Sequence, residues 1–285
     1  MFNNILIATD NSNYSESIFT YGIDFAETFS AELKAIFVIS QFIQNGFFYP
    51  TGELSLTEFS PVYIPIEEIS KKLEEDGLKL LDKLDTMSEG KNIKINKQIL
   101  YGFVDETIYE ESKVHDLTII GKYSHEERTF LGFLGSNTEK IMSRIEKTLL
   151  IVPKEFQKIK RILICYDGSD RAKIGFKLAY EIGKKKNCEI TILSVKEGKE
   201  DINKLLLERD ENIKNVFGNQ NEKIKIETLV KEGDVANEIL SLASIDKFDL
   251  VVMGAHGHRK IKDLILGTTS SQVVRKTSCA VLLAR

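Results

Sequence analysis

A cluster of glycines and hydroxyl side chains near the end of the chain has the residue types of an anion-binding site. The stretch "GAHGHRKIKDLILGTTSSQVV" has glycines at 254, 257 and 267, and it follows the apolar run "DLVVM". The last glycine is followed at once by Thr268, Thr269 and Ser270. A glycine at a strand end lets a ligand approach the backbone, and free N–H groups at a helix start bind phosphate. Tight turns alone are the alternative explanation of these glycines.

The elements that must position this stretch occur twice in the chain. "NILIATDNSNYSESIFTYGIDFAETF" from Asn4 aligns with "RILICYDGSDRAKIGFKLAYEIGKKK" from Arg161, so that Asp10 matches Asp167. Later segments align as well, including "HDLTIIGKYS" with "FDLVVMGAHG". We call residues 1–153 the first copy and 159–285 the second copy, and we predict a linker near 154–160.

Both copies alternate short apolar strands with amphipathic segments. In the second copy Ile174, Leu178 and Ile182 have helical spacing, and Ser169 is placed to cap that helix. Uniformly apolar strands between helices indicate a parallel sheet covered on both faces. We therefore predict an α/β protein of two tandem, doubly wound, five-stranded, Rossmann-like domains. Ligands of such sheets bind beyond the carboxyl ends of the strands, where Asp167 and Gly254 would lie.

Composition excludes several classes of protein. The net charge of −4 argues against general nucleic-acid binding, although it divides into −10 for residues 1–153 and +6 for residues 154–285. Three cysteines without metal spacing and a His256/His258 pair without a third ligand predict no metal site. With no apolar run long enough for a membrane span and no signal peptide, we expect a cytoplasmic protein. The aromatic segment 41–65 reads as a packed loop.

Both copies resemble universal stress protein domains. Gly254, Gly257, Gly267 and Thr268 fit the GxxG, nine residues, Gly-Ser/Thr motif of the nucleotide-binding branch. The resemblance implies an adenine nucleotide alpha hydrolase-like fold and ATP or another adenine nucleotide as ligand, with or without Mg²⁺. It further implies which residues line the adenosine and phosphate sites: Cys165, Asp167, Val195, Met253, Gly254, Thr269 and Ser270. Cys165 stands where nucleotide-binding members often have proline.

The first copy departs from that motif. Its "GKYSHEERTFLGFLGSNT" keeps Gly121 but has Ser124 at the second glycine, with ten residues before Gly135, while Gly132 offers an alternative alignment. The corresponding, degenerate site would consist of Asp10, Val38, Gly121, Ser124, Gly135, Ser136, Asn137 and Thr138. Serine adds a Cβ, and Glu126 and Glu127 add negative charge, so we expect a mainly structural role here.

Three functions fit these residues. The first is an ATP-binding stress or signalling module, read out by conformation or by an unidentified protein partner. It would have the two copies paired within one chain and a further homodimer of chains. The second is a slow ATPase or phosphoryl-transfer enzyme, for which no catalytic residue is assigned. The third is an interaction protein without a ligand.

Overall fold

The first copy alternates strands and helices in the predicted order. The structure is a computed structural model that describes residues 1–40, 66–123, 136–197, 202–217, 224–255 and 268–285. The segment 41–65, Ser124, Gly135 and the two motif glycines Gly257 and Gly267 lie outside those ranges. The elements of the first copy are β1 (Asn4–Thr9), α1 (Ser15–Phe29), β2 (Glu32–Ser40), α2 (Ile66–Met87), β3 (Ile95–Gly102), α3 (Val104–Ser112), β4 (Leu117–Gly121), α4 (Ser136–Arg144) and β5 (Thr148–Val152).

The second copy repeats this order. Its elements are β6 (Arg161–Cys165), α5 (Asp170–Lys186), β7 (Glu189–Lys196), α6 (Ile202–Phe217), β8 (Ile226–Glu232), α7 (Val235–Ile245), β9 (Leu250–Gly254), α8 (Thr268–Lys276) and β10 (Ala280–Ala284). Residues 154–160, the predicted linker, contain neither helix nor strand.

The strands of both copies form one sheet of ten. Its order is β3-β2-β1-β4-β5-β10-β9-β6-β7-β8, and every neighbouring pair is parallel except β5 and β10. Each copy therefore contributes the predicted five parallel strands, doubly wound about its first strand. Two apolar clusters cover the two faces of the sheet, which is why most strands are buried on both sides.

Because β5 and β10 run antiparallel, the carboxyl ends of the strands point opposite ways in the two copies. In each copy the strand order reverses between the first and fourth strands, β1 and β4 or β6 and β9. A crevice opens at such a reversal, beyond the carboxyl ends of the strands. The molecule thus has two topologically equivalent crevices, one in each copy, and they open at opposite ends of the strands.

The helix α5 begins as predicted, and its predicted apolar stripe is buried in part. The Ser169 side chain accepts a hydrogen bond from the Ala172 N–H at 3.1 Å, which confirms the N-cap. Of the predicted stripe, Ile182 is fully buried and Leu178 packs against the core, but Ile174 is 39% exposed. Glycines allow close approach of the helix to the sheet, since a Cβ on Gly175 would lie 3.3 Å from the Ala284 Cβ. The residues on the buried face are Ala172, Gly175, Phe176, Ala179, Tyr180, Ile182 and Gly183.

Side chains from each copy hold elements of the other on both faces of the sheet. On one face the Lys186 ammonium lies 2.6 Å from the Asp24 carboxylate. On the other, the Arg275 guanidinium lies 2.6 Å from the Glu139 carboxylate and joins α8 to α4.

Two further cations donate to carbonyls at helix ends across the junction. Lys122, directly after β4, donates to the Thr277 carbonyl at 2.9 Å, just past the end of α8. Arg285, directly after β10, donates to the Met142 carbonyl in the last turn of α4. Cations at helix C-termini complement the helix dipole, so each copy stabilises the end of a helix that begins at the crevice of the other.

Candidate functional site

The crevice of the second copy lies between the ends of β6 and β9. Cys165 is the last residue of β6, Asp167 follows two residues later, and Gly254 is the last residue of β9. The register pairs Ile164 with Val252, so the chain leaving β6 reaches the level of Gly254 one residue before Asp167. The topology therefore brings Asp167 and Gly254 together, as the sequence predicts.

The Asp167 carboxylate is held by the turn that starts α5. Its Oδ1 accepts hydrogen bonds from the Ser169 backbone N–H at 3.0 Å and from the Ser169 hydroxyl at 2.6 Å. Asp10 is held in the same way in the first copy, where its Oδ1 accepts from the Ser12 N–H at 3.1 Å. The Asp-x-Ser pattern thus orients one carboxylate at the mouth of each crevice.

Glycine at the end of each fourth strand has a packing reason. A Cβ on Gly254 would lie 3.1 Å from the Arg171 Cβ and 3.3 Å from the Ala172 backbone nitrogen. A Cβ on Gly121 would lie 2.8 Å from the Tyr14 Cβ. The start of a helix, its N-cap in the first copy and its first turn in the second, occupies this space, so close approach of protein is sufficient to account for these glycines.

The helix that follows each glycine-rich loop is anchored to the strand end. The Ser270 hydroxyl donates to the Gly254 and Ala255 carbonyls, each at 3.4 Å, and Ser270 is buried. In the first copy the Thr138 hydroxyl donates to the Gly121 carbonyl at the same distance.

The starts of these two helices decide between the two alignments of the first copy. Helix α4 begins directly after Gly135, and helix α8 begins directly after Gly267. Gly267 is therefore equivalent to Gly135 and not to Gly132. The side chains of Ser136 and Thr268 are outside the described part of the chain. Of the predicted hydroxyls, Thr269 is half-buried and stands nearer the surface than Ser270.

Three predicted adenosine-pocket residues pack together on one face of the sheet. Met253 belongs to the apolar cluster on that face, and Cys165 and Val195 pack against it. Burial raises the pKa of the Cys165 thiol far above its usual range, and the nearby Asp167 carboxylate adds to the rise. The thiol is therefore neutral and acts as part of an apolar wall.

Cations lie close to the second crevice. The Cβ of Arg171, in the first turn of α5, packs near Gly254, and Arg285, which follows the strand that pairs with β9, donates to the Met142 carbonyl of the first copy. Burial, with the Arg171 charge in addition, lowers the pKa of Arg285 to about 10, so it stays charged at neutral pH. Sequence reasoning missed both residues, although the net positive charge of this part of the chain pointed to a basic crevice.

The crevice of the first copy contains a cavity of about 260 Å³. Five of the eight predicted residues of the degenerate site line it: Asp10, Val38, Gly121, Asn137 and Thr138. Phe37, Leu73 and Tyr123 also contribute to its walls. None of Phe37, Leu73 and Tyr123 was predicted from the sequence. Leu73 lies on α2, far from the motif residues in sequence, and reaches the cavity only through the packing of that helix.

The described residues hold no group of three or more His, Cys, Asp or Glu side chains that could bind a metal ion. All three cysteines are free thiols. Within the same ranges no helix is both long and apolar enough to cross a membrane. His256 and His258 fall outside the described ranges.

Comparison with known proteins gives matches along the whole chain. The model of the universal stress protein family matches residues 1–153 and again residues 158–285. A universal stress protein of Synechocystis is 27% identical over 289 residues, covering 99% of both chains. One from Methanocaldococcus jannaschii is 34% identical over 139 residues, which cover 44% of this chain and 82% of the relative. The crystal structure of one from Archaeoglobus fulgidus superposes with a TM-score of 0.73 at 22% identity, covering 100% of this chain and 99% of that one.

Proposed function

Because the chain belongs to the universal stress protein family, we propose that it is a stress-response or signalling protein that binds an adenine nucleotide in the crevice of its second copy. The nucleotide would be ATP or a related compound, with or without Mg²⁺. Its effect would be conformational, favouring the state that binds it better and changing the surface shown to a partner. A cytoplasmic location and a homodimer of chains belong to the same proposal.

One observation carries this proposal: the first turn of α8 is fixed at the crevice that also holds Asp167. The Ser270 hydroxyl connects that turn to the Gly254 carbonyl, so the N-terminus of α8 faces the ends of β6 and β9. The free N–H groups of a helix start and its positive dipole end favour phosphate. Asp167 would accept a hydrogen bond from a sugar hydroxyl or a base amino group.

The surroundings support an anionic ligand in this crevice rather than in the other. The Cβ of Arg171 packs near Gly254, so this cation begins beside the crevice, whereas Arg285 donates to the Met142 carbonyl of the first copy. Cys165, Val195 and Met253 supply an apolar wall for a base. A pocket with apolar walls and a few polar groups at one end suits a nucleotide.

Binding is tested directly with the full chain. We expect purified protein to release adenine nucleotide on denaturation, or to bind added ATP by calorimetry. Asp167→Asn should weaken ATP binding about tenfold or more, because a hydrogen bond to a charged group contributes about 1.5–3 kcal/mol. The matched change Asp10→Asn in the first copy should leave ATP binding unchanged.

Three results would decide against this function or change it. Protein that carries no nucleotide and gives no heat with ATP contradicts the proposal. If Asp10→Asn loses ATP binding while Asp167→Asn retains it, the nucleotide site lies in the first copy and the proposal has assigned it to the wrong one. Turnover of ATP with Mg²⁺ at about 1 s⁻¹ or faster would favour an enzyme over a binding module.

A further inference from the structure

Two short helices connect the crevices of the two copies. Helix α8 begins at the second crevice, and the Thr277 carbonyl just past its end accepts a hydrogen bond from Lys122, which follows the strand end of the first crevice. Helix α4 begins at the first crevice, and its Met142 carbonyl accepts from Arg285, which follows β10 beside the second crevice. Each helix has nine residues, a length that is marginally stable alone in water. Both helices therefore depend on contacts at their ends.

At the second crevice, the end of β9 lies between the start of α8 and Arg285. The buried Ser270 hydroxyl donates to the carbonyls of Gly254 and Ala255, each at 3.4 Å. The Ala255 N–H in turn donates to the Ala284 carbonyl at 3.0 Å, and Ala284 directly precedes Arg285. One strand end thus connects the first turn of α8 to the residue that holds α4.

At the first crevice, the end of β4 makes the equivalent connection. The buried Thr138 hydroxyl of α4 donates to the Gly121 carbonyl at 3.4 Å. Gly121 directly precedes Lys122, whose ammonium donates to the Thr277 carbonyl at 2.9 Å. The contacts of both crevices therefore form a closed ring, which runs from Gly121 through α4 and Arg285 to the end of β9, and back through α8 and Lys122.

An ion pair and a shared core connect the two helices across the middle of this ring. The Arg275 guanidinium of α8 lies 2.6 Å from the Glu139 carboxylate of α4. Met142 of α4 and Val273 of α8 are fully buried in one apolar cluster. Neither helix can therefore unfold without breaking contacts made by the other copy.

We propose that α4 and α8 form one coupling element, so that loosening the start of either helix at its own crevice also loosens the other helix. Local opening of a segment has a free energy set by the contacts that it breaks. Here each helix is held near its end by a cation of the other copy, and that cation follows a strand end that the first turn of the other helix holds. Coupling between two sites is reciprocal, so the effect must act in both directions.

This inference concerns contacts within the chain and does not depend on nucleotide binding by the second copy. Its consequence for the proposed function is that a ligand fixing the start of α8 would also stabilise α4 in the first copy.

Hydrogen exchange of the nucleotide-free full chain, followed by mass spectrometry at pH 7, tests the coupling. Lys122 is charged at this pH, since burial lowers its pKa only to about 8. Ser270→Ala removes a hydroxyl at the second crevice, and we expect the amides of α4 to exchange about three- to tenfold faster, the range for a lost neutral hydrogen bond. Thr138→Val should accelerate the amides of α8 by a factor in the same range. Helix α2 packs on the opposite face of the sheet, so its exchange should stay unchanged and serves as the reference.

A triple variant identifies the contacts that carry the coupling. Lys122→Met, Glu139→Gln and Arg285→Met together remove the three polar contacts described above between α4 or α8 and the opposite copy. In that background Ser270→Ala should change the exchange of α4 by less than about twofold, as for independent sites. Circular dichroism and the melting temperature show whether the triple variant is folded. If it is not, the reciprocal pair Ser270→Ala and Thr138→Val decides alone.

Three results would overturn the inference. Exchange in α4 that Ser270→Ala leaves unchanged would mean that the two helices open independently. Acceleration in α2 equal to that in α4 would mean that the variant is only less stable overall. An undiminished effect in the folded triple variant would mean that the named contacts do not carry the coupling. None of these measurements uses ATP, so failure of this inference is distinguishable from failure of the function proposed for the second copy.

Discussion

Replacing Gly254 by alanine should destabilise the protein in the absence of any ligand. The added Cβ would lie 3.1 Å from the Arg171 Cβ and 3.3 Å from the Ala172 backbone nitrogen. The second contact is with helix backbone, so the first turn of α5 must move by a few tenths of an ångström. Overpacking of this kind costs about 1–3 kcal/mol.

An opposing effect reduces that cost. Alanine restricts the unfolded chain and stabilises a compatible position by about 0.4–1 kcal/mol. The net loss for Gly254→Ala is then about 1 kcal/mol, or about 2–4 °C in melting temperature for a chain of this size. For Gly121→Ala the Cβ would lie 2.8 Å from the Tyr14 Cβ, so the loss should be larger, about 2–3 kcal/mol.

Urea unfolding of nucleotide-free protein, followed by circular dichroism, measures both losses. A cycle with Arg171→Gly identifies the contact, since removing that Cβ should recover at least about 0.5 kcal/mol of the Gly254→Ala loss. If Gly254→Ala leaves the free energy of unfolding unchanged or raises it, and weakens only ATP binding, then the glycine serves the ligand and the packing argument fails.

Three other substitutions test contacts described above. Ser169→Ala removes the N-cap of α5 and should lower the free energy of unfolding by about 1 kcal/mol in urea; no loss would show that the cap is replaceable. Lys186→Met breaks the ion pair with Asp24 across the junction and should lower the free energy of unfolding by about 1.5–3 kcal/mol. As a control, Lys177→Met on the exposed face of α5 should lower it little. Equal losses for the two variants would contradict a stabilising role of the ion pair. Because burial lowers the pKa of Lys122 from 10.5 to about 8, the folded protein releases this proton before the unfolded chain does. The stability of wild type relative to Lys122→Met should therefore rise from pH 8 to pH 10.5, and a flat difference in melts across that range would refute the shift.

Much of the fold follows from the sequence because the same pattern is present twice. Uniformly apolar strands such as "LVVMG" require cover on both faces, and Ser169 stands where a helix must start, so element order and type are predictable. The exact face of α5 is less predictable. Its apolar stripe is buried at Ile182 but exposed at Ile174, because the helix approaches the sheet closely at Gly175 and Gly183.

The candidate sites are predictable only in part, for a similar reason. Residues at strand ends, such as Asp167 and Gly254, are found from sequence because parallel strands bring their carboxyl ends to one edge. Tyr14, Arg171 and Lys122 reach the crevices or the junction through helix packing and through contacts between copies. No local pattern encodes those contacts. The antiparallel pairing of β5 with β10 is unpredictable for the same reason, because the sequence of a five-residue apolar strand does not specify which other strand it will pair with.

That join determines how the copies would behave apart. The strands "TLLIV" and "AVLLA" are buried along their whole length, and in a separated copy each would become an apolar edge strand open to pairing. A single copy expressed alone should therefore pair with a second molecule of itself or aggregate. In the intact chain a tether of about seven residues makes this pairing intramolecular, with an effective concentration of about millimolar. Dilution that separates ordinary dimers should consequently leave this pair of copies together.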